Sequence, residues 1–178
     1  MTATETPLFD AVVRIDRLPT SGRDVNVDLD ETVRAALAQA LKISAVEAFS
    51  AKLVIVPLRG GLRAQGRLIA RIVQPSVLTF APITQDIDEP IDRVFLPDTN
   101  HHKPGAGAEV FVDLDDEDFP DHIDGSEVDL SAMLVETLAL AIDPYPRLEG
   151  ETLEALGLAD GDGETGPFAA LAKLKKSP

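Results

Sequence analysis

Apolar and polar positions fall into blocks along this chain, and each block has the period of one kind of element. Between Asp24 and Leu29 the two classes alternate strictly, with Val25, Val27 and Leu29 on one side and Asp24, Asn26 and Asp28 on the other. That period of two predicts a strand with one buried face. The β-rich stretch Leu8 to Ile15 predicts an earlier strand, closed by a Pro-Thr-Ser-Gly turn at 19–22. From Glu31 to about Lys42 the spacing becomes helical. Val33, Leu37, Ala40 and Leu41 form an apolar stripe, Asp30 stands at the N-cap, and Lys42 stands where the helix dipole favours a cation. Two long apolar runs follow, Ala51 to Leu58 and Leu62 to Val73, with Gly60-Gly61 between them. Gly-Gly supplies the positive φ angles of a tight hairpin, so these runs predict paired antiparallel strands.

Farther on, Val77 to Phe80 predicts a short strand and Asp86 to Leu96 a longer one. Pro90 cannot donate to a sheet ladder, which marks the longer strand as an edge or a bulge. Asp98 to Gly107 reads as loop and Glu109 to Asp113 as a short strand. Residues 129–142 predict the second helix, with Asp129 as N-cap, Val128 stapled onto Met133, and Pro144 and Pro146 beyond its end. Its apolar residues occupy almost every face, which predicts deep burial. The closing segment, Pro167 to Lys176, places Phe168, Leu171 and Leu174 on one side. Two strands, a helix, a run of antiparallel strands and a helix predict an α+β fold: a curved antiparallel β-sheet or small open barrel with two packed helices and a short C-terminal helix.

Charge changes how these parts divide. The 178 residues carry 16 Lys plus Arg against 31 Asp plus Glu, a formal net charge of -15. Residues 1–105 hold 12 basic and 13 acidic side chains, and residues 106–178 hold 4 and 18. Nine carboxylates and no Lys or Arg lie between Asp113 and Asp129. The expected organisation is therefore one α+β domain over 1–148 with an acidic excursion at 113–127, an acidic Gly-rich linker at 149–166 and an amphipathic segment at 167–178. Charge this negative disfavours non-specific coating of nucleic acid or of an anionic membrane. The start, MTATETPLFD, lacks the basic patch and apolar run of a secretory leader, and Ala132 to Ile142 is too short to span a bilayer. The cytoplasm is the expected compartment.

Chemistry is sparse. With no cysteine, disulfides, zinc ribbons, iron–sulfur ligation and thiol catalysis are excluded. His101, His102 and His122 lack a ligand spacing and read as exposed loop histidines, so no metal is expected. A calcium loop begun at Asp113 fails, because Asp118 stands where glycine is needed and Asp124 where glutamate is needed. The hairpin tip PLRGG lacks the Gly-Lys-Ser/Thr ending of a phosphate loop, and no hydrolase, zincin or dinucleotide fingerprint occurs. We expect no catalytic residues, no cofactor and no small-molecule substrate.

The arginines carry more. Arg63, Gln65, Arg67 and Arg71 share one face of the strand from Leu62 to Val73, with Leu62, Leu68 and Ile72 on the other and Arg59 at the turn. Such a stripe can follow a phosphate backbone, so Arg59, Arg63, Arg67 and Arg71 are candidates for contact with RNA. Asp86, Asp88 and Asp92 on the following strand could instead neutralise them across the sheet. Seven Phe and one Tyr leave little for base stacking. Phe168, Leu171 and Leu174 are the second candidate surface, either docking on a partner or on the core, or forming an exposed end.

The order of these motifs resembles the YceD family of large ribosomal RNA subunit accumulation proteins. The matching stretches are FDAVVRIDRL at 9–18, the hairpin IVPLRGGLRAQGRLIARIVQ at 55–74, QPSVLTFAPITQDIDEPI at 74–91, VDLSAMLVETLALAIDPYPR at 128–147 and PFAALAKLKK at 167–176. The form is similar to alphaproteobacterial members. The resemblance implies a bacterial cytoplasmic protein needed for accumulation or processing of large-subunit (23S) ribosomal RNA, with no catalytic residues to carry over. Its implied partners are precursor ribosomal RNA or large-subunit assembly proteins, with no membrane. An adaptor whose acidic arm or C-terminal helix holds a basic ribosomal or assembly protein is the alternative. Many members have cysteine in a Gln-x-Cys-Val pattern where this chain has Ser76, and some have several cysteines suggestive of zinc. No thiol or metal role therefore transfers.

Overall fold

The computed structural model describes residues 7–97 and 120–152. In chain order its elements are β1 (Val12–Arg14), a 3-10 turn (Ile15–Arg17), β2 (Arg23–Asp28), α1 (Glu31–Leu41), β3 (Ala45–Leu58), β4 (Gly61–Pro75), β5 (Pro82–Pro97), β6 (Asp121–Ile123), β7 (Glu127–Asp129) and α2 (Leu130–Ala141). A five-stranded sheet runs in the order β2-β3-β4-β5-β6, and β1 pairs with β7 beside it. Pairing is antiparallel except between β5 and β6. The class is α+β. The five-stranded sheet ends in β2 and β6 and does not close into a barrel.

The β3–β4 hairpin sets the register of the sheet. Leu58 pairs with Gly61, and Arg59 (φ 48) and Gly60 (φ 84) are the two turn residues. Two successive positive φ angles make a type I′ turn, whose twist matches that of the strands. The turn centre is thus one residue earlier than Gly60-Gly61. Gly61 serves a different need: a Cβ there would lie 1.9 Å from the Phe95 carbonyl oxygen.

The expected strand at Val77 to Phe80 is a turn. The Ser76 hydroxyl accepts from the amides of Leu78 (3.1 Å) and Thr79 (3.3 Å), and Phe80 has φ 61. A side chain that captures these amides competes with strand pairing. Beyond it β5 runs unbroken, paired along β4 but with β6 only over Phe95–Pro97. Pro90 accordingly sits on a free edge.

The inner face of the sheet and the two helices enclose the core. Leu53, Ile55, Leu62, Leu68 and Ile72 from the sheet meet Leu37 of α1 and Leu130, Leu134 and Leu138 of α2, all with almost no exposed area. The Phe9 and Phe49 rings lie 6.0 Å apart. In α1 the Asp30 side chain accepts from the Val33 amide at 2.9 Å. The buried positions there are Leu37 and Ala38, whereas Ala40 is exposed. Lys42 is the C-cap, in the left-handed conformation. The Asp129 side chain caps α2, accepting from the Ser131 amide at 2.9 Å. Val128 and Met133 both lie in the core.

Burial of α2 is one-sided rather than complete. Ala132, Glu136, Ala139 and Leu140 face solvent, because only the sheet side of the helix is covered. The first strand is shorter than its β-rich stretch: Leu8 and Phe9 pack on the core before it and Ile15 turns after it. Of the acidic stretch 113–127, the described end carries β6 on β5 and the start of β7 on β1. His122 lies in β6, not in a loop. The expected strand at Glu109 to Asp113, His101, His102, the amphipathic segment at 167–178 and most of 149–166 lie outside the described residues. Among the described residues no helix is long and apolar enough to cross a membrane.

Candidate nucleic-acid interface

Strand alternation turns Arg63, Arg67 and Arg71 of β4 outward, opposite the buried Leu62, Leu68 and Ile72. The register of β5 then decides their environment. Arg71 stands directly across from Asp86, Arg67 from Pro90 and Arg63 from Val94, so Asp88 and Asp92 approach diagonally. Arg63 donates through Nε and Nη2 to the two Asp92 oxygens, each at 2.7 Å. Arg67 Nε donates to Asp88 at 2.8 Å. Arg71 donates to both Asp86 oxygens, at 2.6 and 3.2 Å. The stripe is an arginine–aspartate ladder, which is the cross-strand pairing that the sequence left open. Hydrogen bonds from Arg71 and Arg63 hold the Asp86 and Asp92 carboxyls below the ordinary aspartate range, and the bonds that Arg67 and Arg71 donate to Asp88 and Asp86 raise the two guanidinium groups.

The hairpin register adds one cation to this face. Lys52 stands opposite Arg67, and Asp24 and Asp28 of β2 lie on the same outer side, across from the exposed Val54 and from Ser50. The face therefore presents Lys52, Arg63, Arg67 and Arg71 flanked by Asp24 and Asp28 on one border and Asp86, Asp88 and Asp92 on the other. Arg59 stands at the hairpin tip, exposed and outside the ladder. Lys52 was readable from the two-residue turn, which fixes the β3–β4 pairing once its centre is known. Among the described residues no group of three or more His, Asp or Glu side chains is placed to hold a metal ion.

A second feature had no sequence signal. After α2 the chain crosses the β4–β5 end of the sheet as a strap. Gln74 Nε2 donates to the Asp143 carbonyl (3.0 Å), Gln85 Nε2 to the Ala141 carbonyl (2.9 Å), and the Val77 amide to the Pro146 carbonyl (2.9 Å). Glu151 fastens its end by accepting from the Ser76 hydroxyl (2.5 Å), the Thr79 hydroxyl and the Leu148 amide (3.0 Å). Those donors, Ser76 foremost, hold the Glu151 carboxyl below its ordinary range. The Ser76 hydroxyl is thus shared between its own turn and the strap, and the first residues of the expected linker are tied to the domain. Phe168, Leu171 and Leu174 lie outside the described residues.

No curated protein and no solved structure matches the chain. The family described as large ribosomal RNA subunit accumulation protein YceD matches it over residues 64–175. That match takes in β4 from Ala64 on, with Arg67 and Arg71 but not Arg59 or Arg63, and then the β4–β5 turn, α2, the strap and most of the closing segment. With well over half of its residues matched in this way, the chain belongs to the YceD family.

Proposed function

We propose that this protein is a non-catalytic factor for the accumulation or processing of large-subunit (23S) ribosomal RNA, acting in the cytoplasm. The family match carries the reading. In this reading Arg59, Arg63, Arg67 and Arg71 contact precursor RNA through its phosphates. The ladder is compatible with that role because its ion pairs are exposed, with arginine side chains 33–61% accessible. Pairs of this kind are weak in water and exchange partners readily. A phosphate can take the place of a carboxylate on the same guanidinium fork.

The test is binding of precursor 23S RNA across a salt series, comparing the protein with Arg63→Gln, Arg67→Gln and Arg71→Gln combined. Glutamine is the right replacement, since glutamate would set like charges against Asp86, Asp88 and Asp92. The triple variant is expected to bind about tenfold or more weakly, with a salt slope shallower by about one to two. Unchanged affinity and slope reject this face as the contact.

A second reading is favoured by the carboxylates bordering the cations on both sides. It makes the protein an adaptor for a basic ribosomal or assembly protein, held by the acidic arm or by Phe168, Leu171 and Leu174. Partners that remain bound after RNase digestion support it, and loss of all partners on digestion opposes it.

A further inference from the structure

Large apolar side chains stand exposed along the end of α2, the strap and the β4–β5 turn. Phe80 is 79% accessible, Leu140 75% and Tyr145 70%, with Val77 and Leu148 also open. The bonds of the strap join the turn to the strap: Val77 donates to Pro146, and Ser76 and Leu148 share Glu151. Leu140 stands at the lip of a cavity of about 250 Å³ between α2 and the free edge of β5, lined by Glu89, Ile91, Thr137 and Ala141. Several large apolar side chains left open on adjoining elements point to a contact site.

Where the described chain ends identifies the occupant. Its last described residue, Thr152, adjoins Glu151 in this patch, and 26 residues follow. They close with an apolar side of Phe168, Leu171 and Leu174, and with Lys173, Lys175 and Lys176 and no acidic residue after Pro167. Glu89, Asp92, Glu136, Asp143 and Glu149 on these elements outnumber Arg93, which pairs with Glu136 at 3.8 Å, and Arg147, so the net charge there is negative and complementary to the lysines. The intervening residues 153–166 reach roughly 46 Å when extended, against about 18 Å for the length of α2. A tether of that length holds its end near the patch at a millimolar-order effective concentration.

We propose that residues 167–178 fold back onto this patch, with Phe168, Leu171 and Leu174 covering Leu140, Tyr145 and Leu148 and the lysines meeting the surrounding carboxylates. The inference does not depend on how the protein contacts RNA. Because the chain has no cysteine, the test is a pair of introduced thiols in the full chain. Leu140→Cys combined with Leu171→Cys is expected to form an intramolecular disulfide on mild oxidation, with a yield independent of protein concentration. Arg59→Cys combined with Leu171→Cys, at the far end of β4, is expected to form none. Equal cross-linking by both pairs, or none by either, overturns the proposal. Cross-links only between molecules also overturn it and make a second copy the occupant. Independently, Leu140→Asp, at an exposed position, is expected to speed amide exchange over 168–174 by about tenfold. Unchanged exchange there overturns the proposal as well.

Discussion

At Gly66, as at Gly61, a single added atom meets a neighbouring strand's backbone. Gly66 lies in the middle of β4, and a Cβ added to it would meet the Lys52 carbonyl oxygen at 1.9 Å. The clash is with backbone, so β3 and β4 would have to separate where their pairing is longest. Gly66→Ala should destabilise the fold by about 2 kcal/mol or more, read as a lower denaturant midpoint with an unchanged slope. Arg59 offers the opposite case. Its left-handed φ of 48 costs a residue with a long side chain energy that asparagine largely avoids. Arg59→Asn should raise stability by up to about 1 kcal/mol, measured the same way. Because it also removes a candidate RNA contact, it tests that contact in a protein that is no less stable. Neither position was read from the sequence, which centred the turn on Gly60-Gly61 and so gave Arg59 no positive φ. A glycine inside a strand pattern announces a close approach, but the sequence does not say which backbone comes near.

At the scale of elements, legibility followed hydrophobic period and capping. Asp30 and Asp129 start their helices as expected because an N-cap is a local device. The half-buried β2 and the β3–β4 hairpin were readable for the same reason. The turn at 76–81 was not, because Val77 and Leu78 look like strand formers and Ser76 overrules them from outside their pattern. The strap failed differently: residues 149–152 have a linker's composition, and their anchor lies some seventy positions earlier in the chain. The group that the strap itself supplies is the Glu151 carboxylate, which makes the strap sensitive to pH. The folded-state pKa of Glu151 is lowered from 4.5, so its contribution is complete above pH 4.5 and is lost as pH falls below that value toward the lowered one. Tyr145, the only tyrosine in the chain, stands in the strap and reports on it. Tyrosine fluorescence should change as acid is added below pH 4.5, before global unfolding. In Ser76→Ala, which lacks the largest stabilising bond, the change should move to higher pH. If both proteins follow the same curve, Ser76 does not hold the strap.

For the whole molecule the distribution of charge sets what RNA binding can look like. The net charge of -15 resides almost wholly beyond residue 105, and the arginine face is itself balanced by five aspartates. Binding there exchanges carboxylates for phosphates and so releases fewer counterions than a bare basic surface would. With four candidate arginines the salt slope should lie between about -1 and -3. A markedly steeper slope would place the contact elsewhere. The aspartates also supply the sharper test. Asp86→Asn, Asp88→Asn and Asp92→Asn together leave every arginine in place and remove the three carboxylate charges set against Arg63, Arg67 and Arg71. If the ladder is the RNA surface, affinity for precursor RNA rises and the salt slope steepens toward its full value. If these aspartates instead help hold a basic partner, the same variant weakens that partnership. Folding is controlled for by pH. Asp86 and Asp92 have folded pKa values below 3.8, so their stabilisation is present above pH 3.8 and fades as pH falls below it. The melting temperatures of the parent and the variant should therefore differ at neutral pH and converge in acid. A rise in RNA affinity alongside a lower neutral-pH melting temperature is then attributable to freed arginines, because mere loss of stability would lower affinity.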